Sequence, residues 1–196
     1  MTTPPEYTNN ETLSNNDIAS MRREFHFPAG VKLRIPSAED KASCPKPGEI
    51  SLHPIAFDCG LRLPFHPFIR TVLSYFGLAP SQLGPNAWRH IIGAIILWRI
   101  CSEDQDHITL DEFHYCYQFK YKGKTGHWYL FSREGRTLVL DCPTCSAERW
   151  FDKFFFASGK GWEFSPEEGT LAPVPPVPKE WGSIGVVSLS DLLFLF

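Results

Sequence analysis

The sequence lacks a surplus of basic residues. Its 196 residues include 19 Lys and Arg against 22 Asp and Glu, which gives a formal net charge of −3 and an isoelectric point near 6.2. Domains whose main task is to coat nucleic acid usually carry an obvious basic excess. The composition therefore argues against that class of protein and leaves room only for a local basic patch.

Long hydrophobic runs are also missing. A membrane-spanning helix needs about 20 apolar residues, whereas Arg89 and Arg99 bracket a much shorter run, and the apolar stretch 184–196 is short and contains Asp191. Residues 1–16 are polar and contain no apolar signal stretch. We therefore expect no membrane association, an intracellular location in either nucleus or cytoplasm, and free thiols at the six cysteines.

Signatures of common enzymes are absent as well. The sequence contains no Gly-x-x-x-x-Gly-Lys phosphate loop, no Gly-x-Ser-x-Gly and no Asp-Ser/Thr-Gly protease motif. A transposase would need carboxylates that converge on two metal ions. Asp104, Asp106 and Asp111 instead fall in a polar loop and a helix cap, where acids serve turns and helix dipoles. We expect no enzymatic activity, and a catalytic transposase or integrase fragment is the less favoured alternative.

Periodic apolar residues predict a helical N-terminal half. A short helix is expected within 53–60, a clear one over 66–76, a third from about 85 to 101, and a fourth after the capping box of Thr109 and Glu112. The helix over 85–101 is apolar almost all round, which is typical of a central core helix. About three of these helices should form the core.

Strand-like runs follow the helices. Residues 127–132 and 137–140 flank Arg133-Glu134-Gly135-Arg136, which predicts a hairpin, and 154–157 with 162–164 predict a second pair. Helices first and short antiparallel strands afterwards are typical of an α+β fold in a single domain. The aromatic residues, 14% of the chain, concentrate in this second half and should pack densely there.

Composition predicts four segments. Residues 1–24 are low in apolar content and are expected to be a disordered tail. Residues 25–165 should form the domain, with an extended, irregular lead-in to about residue 48. A Pro-rich linker is expected at 166–182 and a short apolar tail, which looks truncated, at 183–196.

Several segments, taken in order, resemble a known family. They are GEISLH at 48–53, GLRLPFHPF at 60–68, LAPSQL at 78–83, PNAWR at 85–89 and FFFASG at 154–159. Together they resemble the gypsy-type transposon domain of plant genomes, which recurs in gag-like polyproteins of Ty3/gypsy-type retroelements. The resemblance runs from about Phe27 to Trp181.

The resemblance implies an origin and a class of function. It implies a retrotransposon-derived, gag-associated interaction or assembly module that associates with itself or with other retroelement proteins. It implies no cofactor and no catalytic residue. The alternative is an RNA-binding or single-stranded DNA-binding module, which the residues themselves suggest below.

One set of residues has the composition of a zinc site. His107, His114, Cys142 and Cys145 resemble in their spacing the His-His-Cys-Cys module of retroviral-type integrases, and two imidazoles with two thiolates can close a tetrahedral zinc site. Against zinc, the stretch between the second His and the first Cys reads as a hairpin here, whereas the integrase module fills it with helices. Surface histidines and free cysteines are the alternative, without any metal.

A second set alternates lysines with aromatic residues. Lys120, Tyr121, Lys122 and Lys124 could hold phosphates while rings stack on unpaired bases. The structural alternative is an edge strand whose lysines discourage pairing with other sheets. Other histidines and arginines near helix ends are expected to serve local capping and ion pairing: His53, His66, Arg62, Arg70, Arg89 and Arg99.

Overall fold

The computed structural model describes residues 13–122, 125–140, 149–164 and 176–181. These residues form five α-helices and five β-strands in an α+β arrangement, as predicted. The helices are α1 (Asn15–Glu24), α2 (Pro54–Asp58), α3 (Pro67–Phe76), α4 (Pro85–Cys101) and α5 (Leu110–Cys116). The strands are β1 (Val31–Arg34), β2 (Ile50–Leu52), β3 (Tyr117–Lys122), β4 (His127–Ser132) and β5 (Phe155–Gly159).

The helix ends follow local sequence signals. The His66 ring accepts a hydrogen bond from the Phe68 N–H at the start of α3, and Gly77 ends that helix in the left-handed conformation, with φ of 64°. Thr109 and Glu112 form the predicted capping box of α5, which satisfies N–H groups that would otherwise have no partner. The predictions for α2 to α5 are confirmed to within a few residues.

The three-stranded sheet has β5 at its centre. β5 pairs antiparallel with β1 on one side and with β2 on the other, with Ala157 opposite both Leu33 and Ile50. The sequence predicted instead that 154–157 pairs with 162–164, and the latter residues form no strand. That pairing was wrong because β1 and β2 lie in and just after the Pro-rich lead-in, which composition marked as irregular.

The second sheet is a hairpin of β3 and β4. Tyr117 lies opposite Ser132 and Lys122 opposite His127, whereas residues 137–140 form no strand. The predicted pairing of 127–132 with 137–140 was therefore wrong, since β4 pairs with the chain that precedes it. Gly126, with φ of 70°, helps to close the turn through its N–H bond to the Lys122 carbonyl.

The N-terminal tail contains a helix, α1, that the amino-acid composition did not predict. Residues 1–24 were expected to be disordered, but Ser14 and Asp17 form a capping box that starts α1. Leu13 and Met21 are buried against the core. The prediction was wrong for residues 15–24 because a few well-placed apolar residues anchor a helix that is otherwise polar.

The core joins the sheet to the helices. Among its fully buried side chains are Trp88 of α4, Phe57 of α2, Phe155 of β5 and Tyr117 of β3. The hairpin contacts the start of α4. The N–H of Gly84, the residue just before that helix, donates to the Trp128 carbonyl of β4 at 2.9 Å. The four described cysteines are free thiols, and Cys101, the last residue of the helix predicted to be central, is exposed.

Candidate functional site

Two buried histidines meet where four separate parts of the chain converge. His53 precedes α2 and His127 begins β4, and their ring centroids lie 6.1 Å apart. Trp150 packs edge-on against both rings, at 5.0 Å from His53 and 4.7 Å from His127. Trp181 packs against His127 at 5.1 Å. We call His53, His127, Trp150, Phe154 and Trp181 the histidine junction.

His53 ties two segments together through its ring nitrogens. Nδ1 lies 2.8 Å from the Lys153 carbonyl oxygen and Nε2 lies 3.2 Å from the Ser81 carbonyl oxygen. A neutral imidazole carries one N–H, so it donates to only one of these oxygens at a time. Burial lowers the pKa of His53 to about 4, so the ring is neutral at physiological pH.

His127 is buried as deeply as His53. Burial, with the neighbouring His53 as a smaller cause, lowers the pKa of His127 to about 3. A small pocket beside the two rings, lined also by Lys41, Ser43 and Phe151, has room for about one water molecule. Two neutral imidazoles in such a space can accept or donate single hydrogen bonds. Their evident role is to hold the surrounding segments together.

The segment 176–181 closes the histidine junction. The Trp181 ring N–H donates to the Ser81 hydroxyl at 2.7 Å, and its backbone N–H donates to the Ser43 carbonyl at 3.0 Å. Val177 is buried, and its N–H donates to the Glu163 carboxylate at 2.8 Å. The last residues of the stretch predicted as a Pro-rich linker therefore pack on the domain.

Sequence reasoning missed both the junction and a buried arginine. His53 was assigned to helix capping, but its side chain makes no capping bond. Arg70 was assigned to local capping and ion pairing, whereas it is buried and donates from Nη1 to the Phe65 and Glu163 carbonyls at 2.8 and 2.9 Å. Its guanidinium also lies over the Phe164 ring. No local signal marks either residue, because the partners of His53, and Glu163 and Phe164 as partners of Arg70, come from distant segments.

The remaining helix-end residues behave as predicted. Arg62 donates to the Phe57 and Leu61 carbonyls at the end of α2. Arg89 donates to the Asn86 side chain within the first turns of α4, and Arg99 pairs with Asp104 at 2.7 Å just after that helix. With the His66 cap of α3, these contacts are local, as the capping interpretation requires.

The structure describes half of the predicted zinc set. His107 is exposed in the loop before α5, and His114 lies on α5 against the Phe76 ring, with Nε2 3.4 Å from the Arg133 guanidinium. Burial, together with that cation, lowers the pKa of His114, and the cation would repel a metal ion. Cys142 and Cys145 lie outside the described residues. Within the described ranges no three His, Cys, Asp or Glu side chains form a metal-binding group, and the four-residue site stays a prediction.

The lysine-rich segment forms β3, and its rings and lysines point to opposite sides. Tyr117, Phe119 and Tyr121 share one face, where Tyr117 is buried and Phe119 packs on Phe76 at 4.7 Å. Lys120 and Lys122 share the other face. The alternation therefore separates the lysines from the aromatic residues of their own strand.

The aromatic rings that lie beside these lysines belong to the neighbouring strand, β4. Lys120 Nζ lies 5.1 Å from the Phe131 ring centroid, and Lys122 Nζ lies 5.4 Å from that of Tyr129. Phe131 is 46% exposed. We call Lys120, Lys122, Tyr129 and Phe131 the basic face. Lys124 lies outside the described residues, and β3 is also the edge strand that the structural alternative predicted.

The C-terminal half of α4 carries an exposed strip of aliphatic side chains. Ile96 is 52%, Leu97 37% and Ile100 67% exposed. The N-terminal half of the same helix is buried, with Trp88 and Ile91 in the core. The apolar pattern predicted burial all round, which holds for only half of α4. We call Ile96, Leu97 and Ile100 the aliphatic strip.

Comparison with known proteins gives the origin of the chain. Residues 52–120 match the family described as "Putative gypsy type transposon". An uncharacterized protein of Arabidopsis thaliana, named as chloroplastic, is 24% identical over 157 residues, which are 79% of this chain and 19% of that protein. The chain thus spans about a fifth of the length of the curated relative it matches.

No solved structure matches the chain. None of the helices in the described part combines the length and apolar character that a membrane crossing needs. Of the five segments that carried the resemblance, the family match includes the end of GEISLH and all of GLRLPFHPF, LAPSQL and PNAWR. The fifth segment, FFFASG, lies outside the match. Residues 52–120 are therefore similar to a gypsy-type transposon family, and this match supports a transposon-related origin of the chain.

Proposed function

We propose that this chain is a gag-associated interaction and assembly module of a retroelement-derived protein and that it has no catalytic activity. The observation that carries the proposal is the aliphatic strip of α4. The transposon family match supports the retroelement origin. The neutral imidazoles of the histidine junction serve packing.

The aliphatic strip has the character of a contact surface. Scattered exposed apolar residues are ordinary on soluble proteins, whereas a contiguous apolar patch with a polar rim marks an interaction site. Ile96, Leu97 and Ile100 follow the helical spacing that places them side by side. Arg99 and Asp104 form an ion pair beside them. Covering this strip would remove apolar area from water, which favours association.

The test is native mass spectrometry of the full chain over a range of concentrations. We expect oligomers whose fraction grows with concentration and which disappear in the double variant Ile96→Lys/Ile100→Lys. The matched control is Tyr75→Lys on α3, where Tyr75 is also exposed, and this variant should assemble like the wild type. A monomer at every concentration would contradict the proposal.

Nucleic-acid binding is the second candidate function, and the basic face is the observation that favours it. Rings beside lysines can stack on bases while the ammonium groups contact phosphates. The stretch 117–140 contains five basic residues and one acidic residue. We expect fluorescence anisotropy with labelled oligo(U) or oligo(dT) to show affinity that falls with salt, and Lys120→Ala/Lys122→Ala to reduce the salt slope by about 0.7 per lost phosphate contact. Binding with equal affinity in the double variant would exclude the basic face.

A further inference from the structure

We infer that copies of this chain contact one another head to tail, with the basic face of one copy against the aliphatic strip and its acidic surroundings on the next. The inference rests on the proposed assembly function and names the partner surface. It comes from two features that are complementary in charge and that both present exposed apolar side chains.

The first surface is the end of α4 and the loop that leads to α5. Residues 99–112, which we call the acidic corner, contain five acidic residues and one basic residue. Glu103, Asp104, Asp106 and Asp111 are exposed there. Arg99 offsets only one of these charges, through its ion pair with Asp104. The acidic corner directly follows the aliphatic strip along the chain, so apolar and negative groups lie next to each other.

The second surface is the basic face of the hairpin. In the described residues it carries two exposed ammonium groups, those of Lys120 and Lys122, in a chain whose net charge is −3. The Arg133 and Arg136 guanidiniums, which follow β4, contact α5 instead. The ammonium groups of Lys120 and Lys122 lie over the rings of Phe131 and Tyr129, so positive and aromatic groups are presented together. The two surfaces are therefore opposite in sign and alike in carrying apolar area.

Charge decides between the two ways in which the aliphatic strip could be covered by a second copy. A two-fold symmetric contact of strip against strip would bring two acidic corners together, and like charges across an interface oppose binding. A head-to-tail contact joins the acidic corner to the basic face, which attracts the two copies and fixes their orientation. The charge distribution thus favours the head-to-tail contact.

A head-to-tail contact has a consequence that a symmetric one lacks. Each copy retains one unused surface after the contact forms, so the chain can add further copies and make rings or filaments. Blocking one surface on one copy and the other surface on another should then stop growth at the dimer. This stoichiometry identifies the contact type.

The experiment uses two full-length variants, alone and mixed. The strip variant, Ile96→Lys/Ile100→Lys, changes the aliphatic strip. The face variant, Lys120→Glu/Lys122→Glu, changes the basic face. We expect each variant alone to be monomeric, and an equimolar mixture to form one-to-one dimers and nothing larger in native mass spectrometry. The charge-conserving variant Lys120→Arg/Lys122→Arg should assemble like the wild type. Raising NaCl from 50 to 500 mM should weaken wild-type assembly at least several-fold, since exposed charges are screened.

Each other result overturns the inference in a recognisable way. If the face variant assembles like the wild type and only the strip variant is monomeric, the contact is symmetric, and the proposed assembly function survives. If the face variant loses only oligo(U) binding, the basic face serves nucleic acid. If the wild type is monomeric throughout, the proposed function fails as well. Circular dichroism at matched temperature confirms that the variants compared are folded, and the salt dependence of wild-type assembly still tests the charge requirement if the Glu variant does not fold.

Discussion

Helix α1 and the second half of α4 show opposite relations between composition and packing. α1 is polar along most of its length, yet Met21 on it and Leu13 before it are buried in the core. The end of α4 is strongly apolar, yet Ile96 and Ile100 are half or more exposed. What decides burial is whether another element lies over the side chain. Apolar content alone marks surface that can be covered, either by the same chain or by a partner.

The sharpest test of that contrast compares one residue type within α4. Ile91 is 0% exposed and Ile100 is 67% exposed. We expect Ile91→Ala to lower the free energy of unfolding by about 2–5 kcal/mol, because it removes buried methyl groups and leaves a cavity. Ile100→Ala should change it by about 0.5 kcal/mol or less under monomeric conditions. Urea denaturation of both variants measures the difference, and similar losses would show that the end of α4 is packed.

The loss of folding stability at acid pH tests whether the two histidine rings of the histidine junction are buried, as the side chains in the first half of α4 are. His53 and His127 have pKa values of about 4 and 3 in the folded chain, below the ordinary value near 6.5. The unfolded chain therefore takes up protons first as the pH falls, and stability is lost from about pH 6.5 downward. We expect a loss of about 1–2 kcal/mol per histidine between pH 7 and pH 5.

Urea denaturation at each pH measures this loss. His53→Asn should flatten the profile, whereas the same substitution at the exposed His107 is the matched control and should leave the profile as it is. A wild-type stability that stays constant from pH 7 to pH 5 would show that the two rings are accessible to solvent. The acids Asp40 and Glu49, whose pKa values are lowered by the Arg34 guanidinium, act at lower pH. Burial also lowers the pKa of His90 and of His114, so these two rings add to the loss in the same window and the effect of His53→Asn is a partial flattening.

The smallest expected effect concerns the start of α1. Ser14 accepts from the Asp17 N–H, and the Asp17 carboxylate accepts from the Ser14 N–H at 2.8 Å. Ser14→Ala should reduce stability by about 1 kcal/mol if the helix belongs to the cooperative fold. The control is Ser20→Ala, at an exposed position in the same helix, which should be neutral or slightly stabilising. No difference between the two variants in urea denaturation would mean that α1 unfolds independently.

Local signals account for the parts of the fold that the sequence predicted. Gly77 after α3, Pro85 at the start of α4 and the Thr109 capping box each act within a few residues, so the printed sequence contains the whole interaction. The strand pairing was missed because β5 finds its partners far away along the chain, where a short run such as Ile50–Leu52 has no distinctive pattern. Long-range pairing depends on which surfaces meet in the complete fold.

The candidate sites also differ in how much of each could be predicted from the sequence. The alternation of lysines in β3 was visible in the sequence, but the rings that accompany them, Tyr129 and Phe131, belong to the neighbouring strand. The histidine junction gave no signal at all, because His53, His127 and Trp181 are brought together only by the complete fold. The exposure of the aliphatic strip was likewise hidden, since the sequence predicted an apolar helix without saying what would cover each side.

The central position of β5 bears on where the boundaries of this module lie. The family match ends at residue 120, within β3, and begins at residue 52, the last residue of β2. A fragment cut at those limits would leave β3 without β4 and what remains of β2 without β5. A piece of the chain that keeps both sheets must therefore extend on both sides of the matched residues, at least from β1 to β5.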